Sequence, residues 1–160
     1  MKIISGGQTG VDRAALDVAI ERGLDWGGWC PKGGWAEDFP EPPGVLAVYP
    51  GLTQTPLADP AQRTEWNVRD SDATVIFSIA PELRGGSHLT AELAARHHKP
   101  CLHLSRHQQG PAAAKFLTEF LQRHRVAILN VAGPRRSEEP KAADFALETL
   151  QKLSFDDSAS

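Results

Sequence analysis

The first twenty residues combine a short apolar run, a glycine-rich loop and the beginning of a helical pattern. Ile3 and Ile4 precede the loop Ser-Gly-Gly-Gln-Thr-Gly at positions 5–10, and apolar residues then recur at helical spacing over 11–19. This order favours phosphate binding, because glycines let backbone amides approach an anion and a helix N-terminus carries partial positive charge. The candidate binding residues are consecutive in the loop: Gly6, Gly7, Gln8, Thr9 and Gly10.

The loop differs from the two best-known nucleotide-binding loops. It lacks the Gly-Lys-Ser/Thr ending with which a P-loop binds phosphates and magnesium, so nothing in it indicates ATP hydrolysis. In a G-x-G-x-x-G register its first glycine is replaced by Ser5. The sequence therefore predicts a phosphate loop of a less common type.

Strand-length apolar runs alternate with helix-length amphipathic runs along the chain. Strands are predicted at 2–5, 27–30, 45–49, 73–79, 101–105 and 126–131, and helices at 11–22, 61–70, 88–98, 111–124 and 139–153. The runs 75–77 and 126–129 are apolar at every residue, which is typical of central parallel strands covered on both faces. The pattern predicts an α/β fold with a single doubly wound, mostly parallel Rossmann-like sheet and helices on both faces.

Length and proline content set the expected domain organisation. A chain of 160 residues is expected to form one domain, here 1–153, followed by a polar C-terminal tail at 154–160. The stretch 31–60 holds seven of the twelve prolines and is expected to be mostly loop around one short strand. Long ordered loops in compact domains often carry function.

Charge and cysteine content exclude several function classes. The formal net charge of -3 gives no broad basic face, so no nucleic-acid partner is expected. No apolar run approaches the ~20 residues needed to span a membrane, so no membrane partner is expected. The cysteines, Cys30 and Cys101, form no C-x-x-C pair, and with no signal peptide the expected location is the reducing cytoplasm. No zinc-ligand spacing is matched, so no metal site is predicted.

A second glycine-rich loop follows the predicted strand 73–79. In a doubly wound sheet, ligands bind beyond the carboxyl ends of the strands near the switch point, so this loop and the first are expected to face one another. The alternative is a pair of helix caps with glycines for tight turns. The candidate binding residues here are Arg84, Gly85, Gly86, Ser87 and Thr90.

Three further polar side chains are candidates for the same site. Lys32 stands near the place where a dinucleotide-binding domain favours an acid, which indicates a phosphate or another oxyanion; a solvated loop lysine is an equal alternative. Arg63 and Asn67 lie four residues apart and share a helix face that suits a phosphate or heterocycle, or else serve as ordinary surface support. Arg135, after the last predicted strand, could add charge to this rim, although a plain turn with solvated arginines is favoured.

These motifs together resemble those of the molybdenum cofactor carrier proteins. The matching segments span nearly the whole chain: 5–17, 27–33, 36–38, 63–73, 85–90, 99–100 and 130–135. The resemblance implies a Rossmann-like fold, a homo-oligomer (dimer or tetramer) and binding of the pterin-phosphate molybdenum cofactor. The chain departs from the family near Gly34, where a basic residue is common, and at Phe39, where a glycine is common.

The carrier family is similar to a wider one, the lysine-decarboxylase-like nucleotide phosphoribohydrolases, which carry P-G-G-x-G-T-x-x-E. Aligned on Gly85 and Gly86, this motif places Glu92 at the glutamate, and Arg63 corresponds to an arginine ahead of the strand. If the chain is an enzyme, the resemblance implies that Arg63 holds phosphate and Glu92 acts as acid or base at an N-glycosidic bond.

The sequence therefore predicts a protein that binds a small phosphorylated ligand between its two glycine-rich loops. The ligand is expected to be the molybdenum cofactor, carried or stored, or a nucleotide. The alternatives are a nucleotide 5'-monophosphate phosphoribohydrolase and a nucleotide-sensing module without chemistry.

Overall fold

The computed structural model describes residues 1–155, and its centre is a five-stranded sheet. The strands are β1 (Lys2–Ile4), β2 (Asp25–Gly27), β5 (Ala73–Ser78), β6 (Cys101–Ser105) and β7 (Ile128–Ala132). They pair in the order β2-β1-β7-β5-β6, and every pair is parallel. A separate parallel pair is formed by β3 (Trp29–Cys30) and β4 (Thr53–Gln54).

Five helices cover both faces of the main sheet. They are α1 (Val11–Glu21), α2 (Pro60–Arg69), α3 (Gly85–Arg96), α4 (Ala113–Arg123) and α5 (Ala142–Gln151). Helices α1, α4 and α5 share the main core with inward residues of the strands such as Val75 and Phe77, whose ring packs edge-on against Phe145. Helices α2 and α3 pack through a second cluster on the opposite face: Val68, Leu93 and Ala94. The predicted α/β Rossmann-like architecture is confirmed.

The last strand of the chain lies in the middle of the sheet. Asn130 of β7 is registered with Ile4 of β1 on one side and with Thr74 of β5 on the other. The loops that follow β1, β5 and β7 therefore leave the same edge of the sheet side by side. Ligands bind in such a crevice, where neighbouring connections diverge.

The strand predicted at 45–49 is wrong, because this segment begins with a short 3₁₀ turn at Gly44–Ala47. The Tyr49 amide donates to the carbonyl of Val45 at 2.7 Å, which continues a helical geometry. Val45 and Tyr49 are both buried, and a spacing of four puts them on one face of a turn. Periodicity alone does not separate a strand from a turn in so short an apolar run.

Several other boundaries differ from prediction, including those at residues 27–30 and at the start of α3. The strand predicted at 27–30 is divided between β2 and β3, because Gly28 between them adopts φ 129 and passes against the backbone of Ser5. Helix α3 begins at Gly85 rather than at residue 88, so its glycines form the first turn. Residues 156–160 of the predicted tail lie outside the described residues, and none of the described helices is long and apolar enough to cross a membrane.

Candidate functional site

A narrow cleft opens at the sheet edge where the loops after β1 and β7 meet the first turn of α3. Its cavity volume is about 70 Å³. We refer to it as the central cleft. Its lining comes from both glycine-rich loops, from α2 and from β7 and the loop after it: Gly6, Gln8, Asp12, Arg63, Thr64, Asn67, Gly86, Ser87, Thr90, Asn130, Val131, Ala132, Gly133, Arg135 and Glu138.

Arg63 projects from α2 into the cleft and lies directly over Gly6. A Cβ on Gly6 would collide with Nη1 of Arg63, so glycine at this position makes room for the guanidinium. Nη1 donates to Oδ2 of Asp12 at 3.0 Å. The Arg63 side chain is 15% exposed and that of Asp12 is 8% exposed. The cation of the cleft is thus largely buried and held by one carboxylate.

The Nε atom of Arg63 is buried and has no hydrogen-bond partner among the described residues. A buried donor without an acceptor costs about 1–3 kcal/mol. Such an atom in a cleft is therefore a ready donor to an anionic ligand.

Burial raises the pKa of Asp12, and the charge of Arg63 and the hydrogen bonds from Arg63 and Gln8 work in the opposite direction. The Gln8 amide donates to Oδ2 of Asp12 at 3.2 Å. A single carboxylate oxygen therefore joins the first loop to α2. The Asp12 carboxylate thus takes a place beside Arg63 that an anionic ligand could otherwise occupy.

Two amides of the first loop, those of Gln8 and Thr9, have acceptors inside the protein. Besides the bond from Gln8 to Asp12, the Thr9 amide donates to Oε1 of Gln8 at 3.0 Å. The same Oε1 accepts the Glu37 amide at 2.9 Å. These contacts fix the loop as a wall of the cleft and occupy two of the amides that the sequence assigns to phosphate.

Glu37 ties the first loop to the loop after β7. Its carboxylate accepts the hydroxyl of Thr9, the amide of Ser137 at 3.2 Å and the hydroxyl of Ser137 at 2.6 Å. The Ser137 hydroxyl is the largest of the effects that lower the pKa of Glu37, followed by the Thr9 hydroxyl. Gly10 is needed at this junction, because a Cβ there would lie 2.5 Å from the Pro134 carbonyl.

Asn67 lines the cleft, but its side-chain amide forms hydrogen bonds with the backbone of β3. Oδ1 accepts the Trp29 amide at 2.8 Å, and Nδ2 donates to the Trp29 carbonyl at 3.0 Å. The side chain is buried, so this paired contact fixes α2 against β3. It thereby sets where Arg63, one turn earlier on α2, enters the cleft.

The N-terminus of α3 faces the cleft without an acidic side chain of its own. Its N-cap residue is Arg84, which makes no capping bond, and its first turn holds no acid. The Ser87 amide donates back to the Arg84 carbonyl at 3.2 Å. Because Gly85 and Gly86 are the first residues of the helix, their amides have no carbonyl acceptor within it, and the helix adds partial positive charge there.

The remaining predicted residues divide between the walls of the cleft and other places. Thr90 is in the cleft, but its hydroxyl donates to the Gly86 carbonyl at 2.8 Å. Arg84 lines a second, adjoining recess and Lys32 a separate surface hollow beside Trp35. Gly7 packs toward Val45 and Leu52 in the core. Gly7, Thr9, Gly10 and Gly85 are not among the residues that line the cleft.

Glu92, the second residue predicted for a hydrolase, does not line the cleft either. It lies on the exposed side of α3, where its carboxylate pairs with His88 of the preceding turn at 3.4 Å. The structure therefore brings Arg63 together with Asp12 and not with Glu92.

Sequence reasoning missed four polar residues of the cleft: Asp12, Thr64, Asn130 and Glu138. Asp12 was visible only as an acid in the first turn of α1. Asn130 has a usable signal, since a polar residue inside the apolar strand 128–132 must find partners, and here Nδ2 donates to the buried Thr74 hydroxyl at 3.2 Å. Arg135, considered only as an addition to the rim, lines the cleft and bonds Glu138 at 3.1 Å.

A family model and a solved structure both match this chain. The model of the circularly permutated YpsA SLOG family (cpYpsA) matches residues 3–154. A 1.45 Å crystal structure from Syntrophus aciditrophicus SB, whose protein is called "Putative molybdenum carrier protein", is 42% identical, with a TM-score of 0.86 over 94% of this chain and 92% of that one. No curated protein matches the chain. The resemblance inferred from the motifs is confirmed at the level of the family.

Proposed function

This chain belongs to the circularly permutated YpsA SLOG family, and from that premise we propose that it binds a phosphorylated heterocycle as cargo, with the molybdenum cofactor as the ligand. The phosphate lies in the central cleft, between Arg63 and the first turn of α3. The name of the related Syntrophus aciditrophicus protein, a molybdenum carrier, supports this choice of cargo.

The proposal rests mainly on the burial and the hydrogen bonding of the Arg63 guanidinium. Its guanidinium is largely buried between Gly6 and Asp12, and its Nε has no acceptor among the described residues. A phosphate oxygen would supply that acceptor, and a charge-assisted bond from a guanidinium is stronger than a neutral one. An arginine that served only to pair with Asp12 would not need a cleft around it.

The first turn of α3 supports the same position for the phosphate. The amides of Gly85 and Gly86 have no intrahelical acceptors, and Arg84 provides no cap. Helix α2, in contrast, is capped by Asp59, whose Oδ1 accepts the Ala61 amide at 2.9 Å. An anion at α3 would complete the cap that this helix lacks.

In this proposal the first glycine-rich loop shapes the pocket, although its motif predicts that it binds the phosphate. The amides of Gln8 and Thr9 are already bonded within the loop, so they form a rigid wall. The absence of a side chain on Gly6 provides the space for Arg63. The phosphate is therefore held by α2 and α3, and the loop shapes the pocket.

Carriage is favoured over hydrolysis because the two residues that the resemblance assigns to cleavage, Arg63 and Glu92, are not brought together in the cleft. Glu92 lies on the exposed side of α3, and the Asp12 carboxylate is bound to Arg63 and the Gln8 amide. Neither is placed beside a glycosidic bond with a proton to exchange. The proposal also keeps a homo-oligomer and a cytoplasmic location, as the resemblance and the cysteine content predict.

Native mass spectrometry of the protein purified from its own host tests the proposal. The wild type is expected to carry a phosphorus-containing adduct with the mass of the molybdenum cofactor, and the same spectrum gives the oligomeric state. Arg63→Gln is expected to lose the adduct. Arg69→Gln is the matched control, because Arg69 lies on the same helix but is exposed and pairs with Asp70.

Two results would contradict the proposal. The first is an adduct that Arg63→Gln retains as fully as the wild type does. The second is release of free base from a nucleoside monophosphate that Glu92→Ala abolishes, which would make the protein a phosphoribohydrolase.

A further inference from the structure

A second recess adjoins the central cleft on the far side of the α3 N-terminus. It shares Ser87 and Glu138 with the cleft, and Ala80, Leu83 and Pro134 give it apolar walls. Its cavity volume is about 330 Å³, compared with about 70 Å³ for the cleft. The larger volume falls within the range of roughly 300–1,000 Å³ typical of small-molecule pockets. The cleft fits a phosphate group, and the recess has room for a fused ring.

Glu138 stands at the junction of the two cavities with one carboxylate oxygen engaged and one unused. Oε1 accepts the Nε of Arg135 at 3.1 Å and the Arg135 amide at 3.4 Å. Oε2 accepts no hydrogen bond from the residues that the structure describes. It points toward α3, where a Cβ on Gly85 would lie 3.6 Å from it. Arg135 thus holds the carboxylate in place, and its other oxygen lies beside the first turn of α3.

Two other carboxylates near the recess accept hydrogen bonds from within the chain, and a third, Glu82, lines the recess on an exposed bend. Glu139 accepts the amides of Ile79 and Ala80, both at 3.0 Å, and so closes the end of β5. Asp12 is bound to Arg63 and Gln8. Among these acids, Glu138 is the one that lines both the recess and the central cleft.

We propose that the recess is a ring subsite in which Glu138 selects a 2-amino-4-oxopyrimidine edge, the edge that guanine and pterins share. This inference rests on the proposed binding of a phosphorylated heterocycle. The ring N–H and the exocyclic amino group of that edge are neighbouring donors, and Oε2 of Glu138, which has two lone pairs, accepts them while Oε1 stays bonded to Arg135. Adenine instead presents a ring nitrogen acceptor, which would face the carboxylate without a proton between them.

Isothermal titration calorimetry with four phosphorylated probes tests the subsite. Guanosine monophosphate and neopterin monophosphate carry the full edge, inosine monophosphate lacks the amino group, and adenosine monophosphate lacks both donors. The wild type is expected to bind guanosine monophosphate at least about tenfold more tightly than adenosine monophosphate, with inosine monophosphate between them; the preference is modest because the Glu138 side chain is 45% exposed. Whichever of the guanine and pterin probes binds more tightly assigns the ring to a purine or a pterin.

Glu138→Gln is expected to reduce the preference to within about threefold, since an amide both donates and accepts. Glu119→Gln, an equal charge change on the exposed side of α4, is expected to keep the preference. Equal affinities for guanosine and adenosine monophosphates in the wild type, or a preference that Glu138→Gln leaves intact, would overturn the subsite alone. Failure of all four probes to bind would overturn the proposed function with it.

Discussion

The guanidinium of Arg63 and the carboxylate of Asp12 meet at 3.0 Å although 51 residues separate them along the chain. The bond joins the first turn of α1 to α2 inside the central cleft. Because Oδ2 of Asp12 also accepts the Gln8 amide, one oxygen fixes both the loop and the cation. The two residues together set the shape and the charge of the site.

Removing the Asp12 charge is expected to destabilise the fold. Asp12→Asn leaves the Arg63 cation largely buried and unpaired, and we expect a loss of roughly 3–5 kcal/mol in the free energy of unfolding. Urea unfolding measures it. Asp38→Asn is the control: Asp38 also pairs with an arginine, Arg13, at 2.7 Å, but its side chain is 43% exposed, so the loss is expected below about 1 kcal/mol. Equal unfolding midpoints for the two variants would contradict the importance of the buried pair.

Adding a methyl group at Gly6 is expected to impair binding more than folding. In Gly6→Ala the new Cβ takes the position of Arg63 Nη1, and a flexible side chain can move away from it. We therefore expect a folded protein with at least about tenfold weaker binding of inorganic phosphate, since a charge-assisted bond contributes about 1.5–3 kcal/mol. In the control Gly27→Ala, the new Cβ meets the Gly51 carbonyl at an ordinary 3.5 Å. Unchanged phosphate affinity in Gly6→Ala, measured by calorimetry, would count against Arg63 as a ligand-binding residue.

The two hydrogen bonds between Asn67 and Trp29 are expected to stabilise the fold. Asn67→Ala leaves the amide and carbonyl of Trp29 without their partners in a buried place, and we expect a loss of about 2 kcal/mol or more. Thr64→Ala, which removes an exposed bond to the Pro60 carbonyl on the same helix, is expected to lose at most about 0.5 kcal/mol. Thermal and urea unfolding of both variants give the comparison, and a stable Asn67→Ala would show that α2 is held by other contacts.

Glu37 is expected to make stability fall in acid. Its pKa is lowered in the folded protein, mainly by the hydroxyls of Ser137 and Thr9. The folded state therefore favours the carboxylate, and this stabilisation is present above the ordinary glutamate pKa of about 4.3 and is lost as the pH falls through the lower folded value. Glu37→Gln is expected to lose less stability than the wild type between about pH 5 and pH 3.

Urea midpoints across that pH range measure the effect, with Glu119→Gln as a variant that should follow the wild type. Asp12 acts in the opposite direction, because its pKa is raised in the folded protein, but it does so equally in all three proteins. Parallel pH profiles for Glu37→Gln and the wild type would contradict the role of Glu37.

The fold was largely predictable because its strongest signals are local. Residues 75–77 and 128–129 are apolar in succession and lie in β5 and β7, two neighbouring strands of the sheet. The segment 45–49 was not predictable in this way, because Val45 and Tyr49 satisfy a buried turn as well as a strand. The division at Gly28 depends on its approach to Ser5, a contact between separate parts of the chain.

The position of the central cleft was predictable, but its hydrogen bonding was not. Three residues that the motifs assign to binding, Gly6, Arg63 and Gly86, line this one cleft, and their role in binding stays a prediction. The motifs did not indicate that Asp12 and the Gln8 side chain would accept the amides of Gln8 and Thr9. Those hydrogen bonds depend on which side chains lie close together in the folded chain. A glycine motif indicates only where a ligand can approach the backbone.

The most direct test of the central claim is a titration of ¹⁵N-labelled protein with inorganic phosphate, followed by amide and arginine Nε chemical shifts. If the phosphate binds between α2 and α3, the largest changes will fall on the amides of Gly85 and Gly86 and on the Arg63 Nε–H, and Arg63→Gln will abolish them. Changes centred on the amides of Gln8 and Thr9, on Lys32, or nowhere at saturating phosphate would contradict the account.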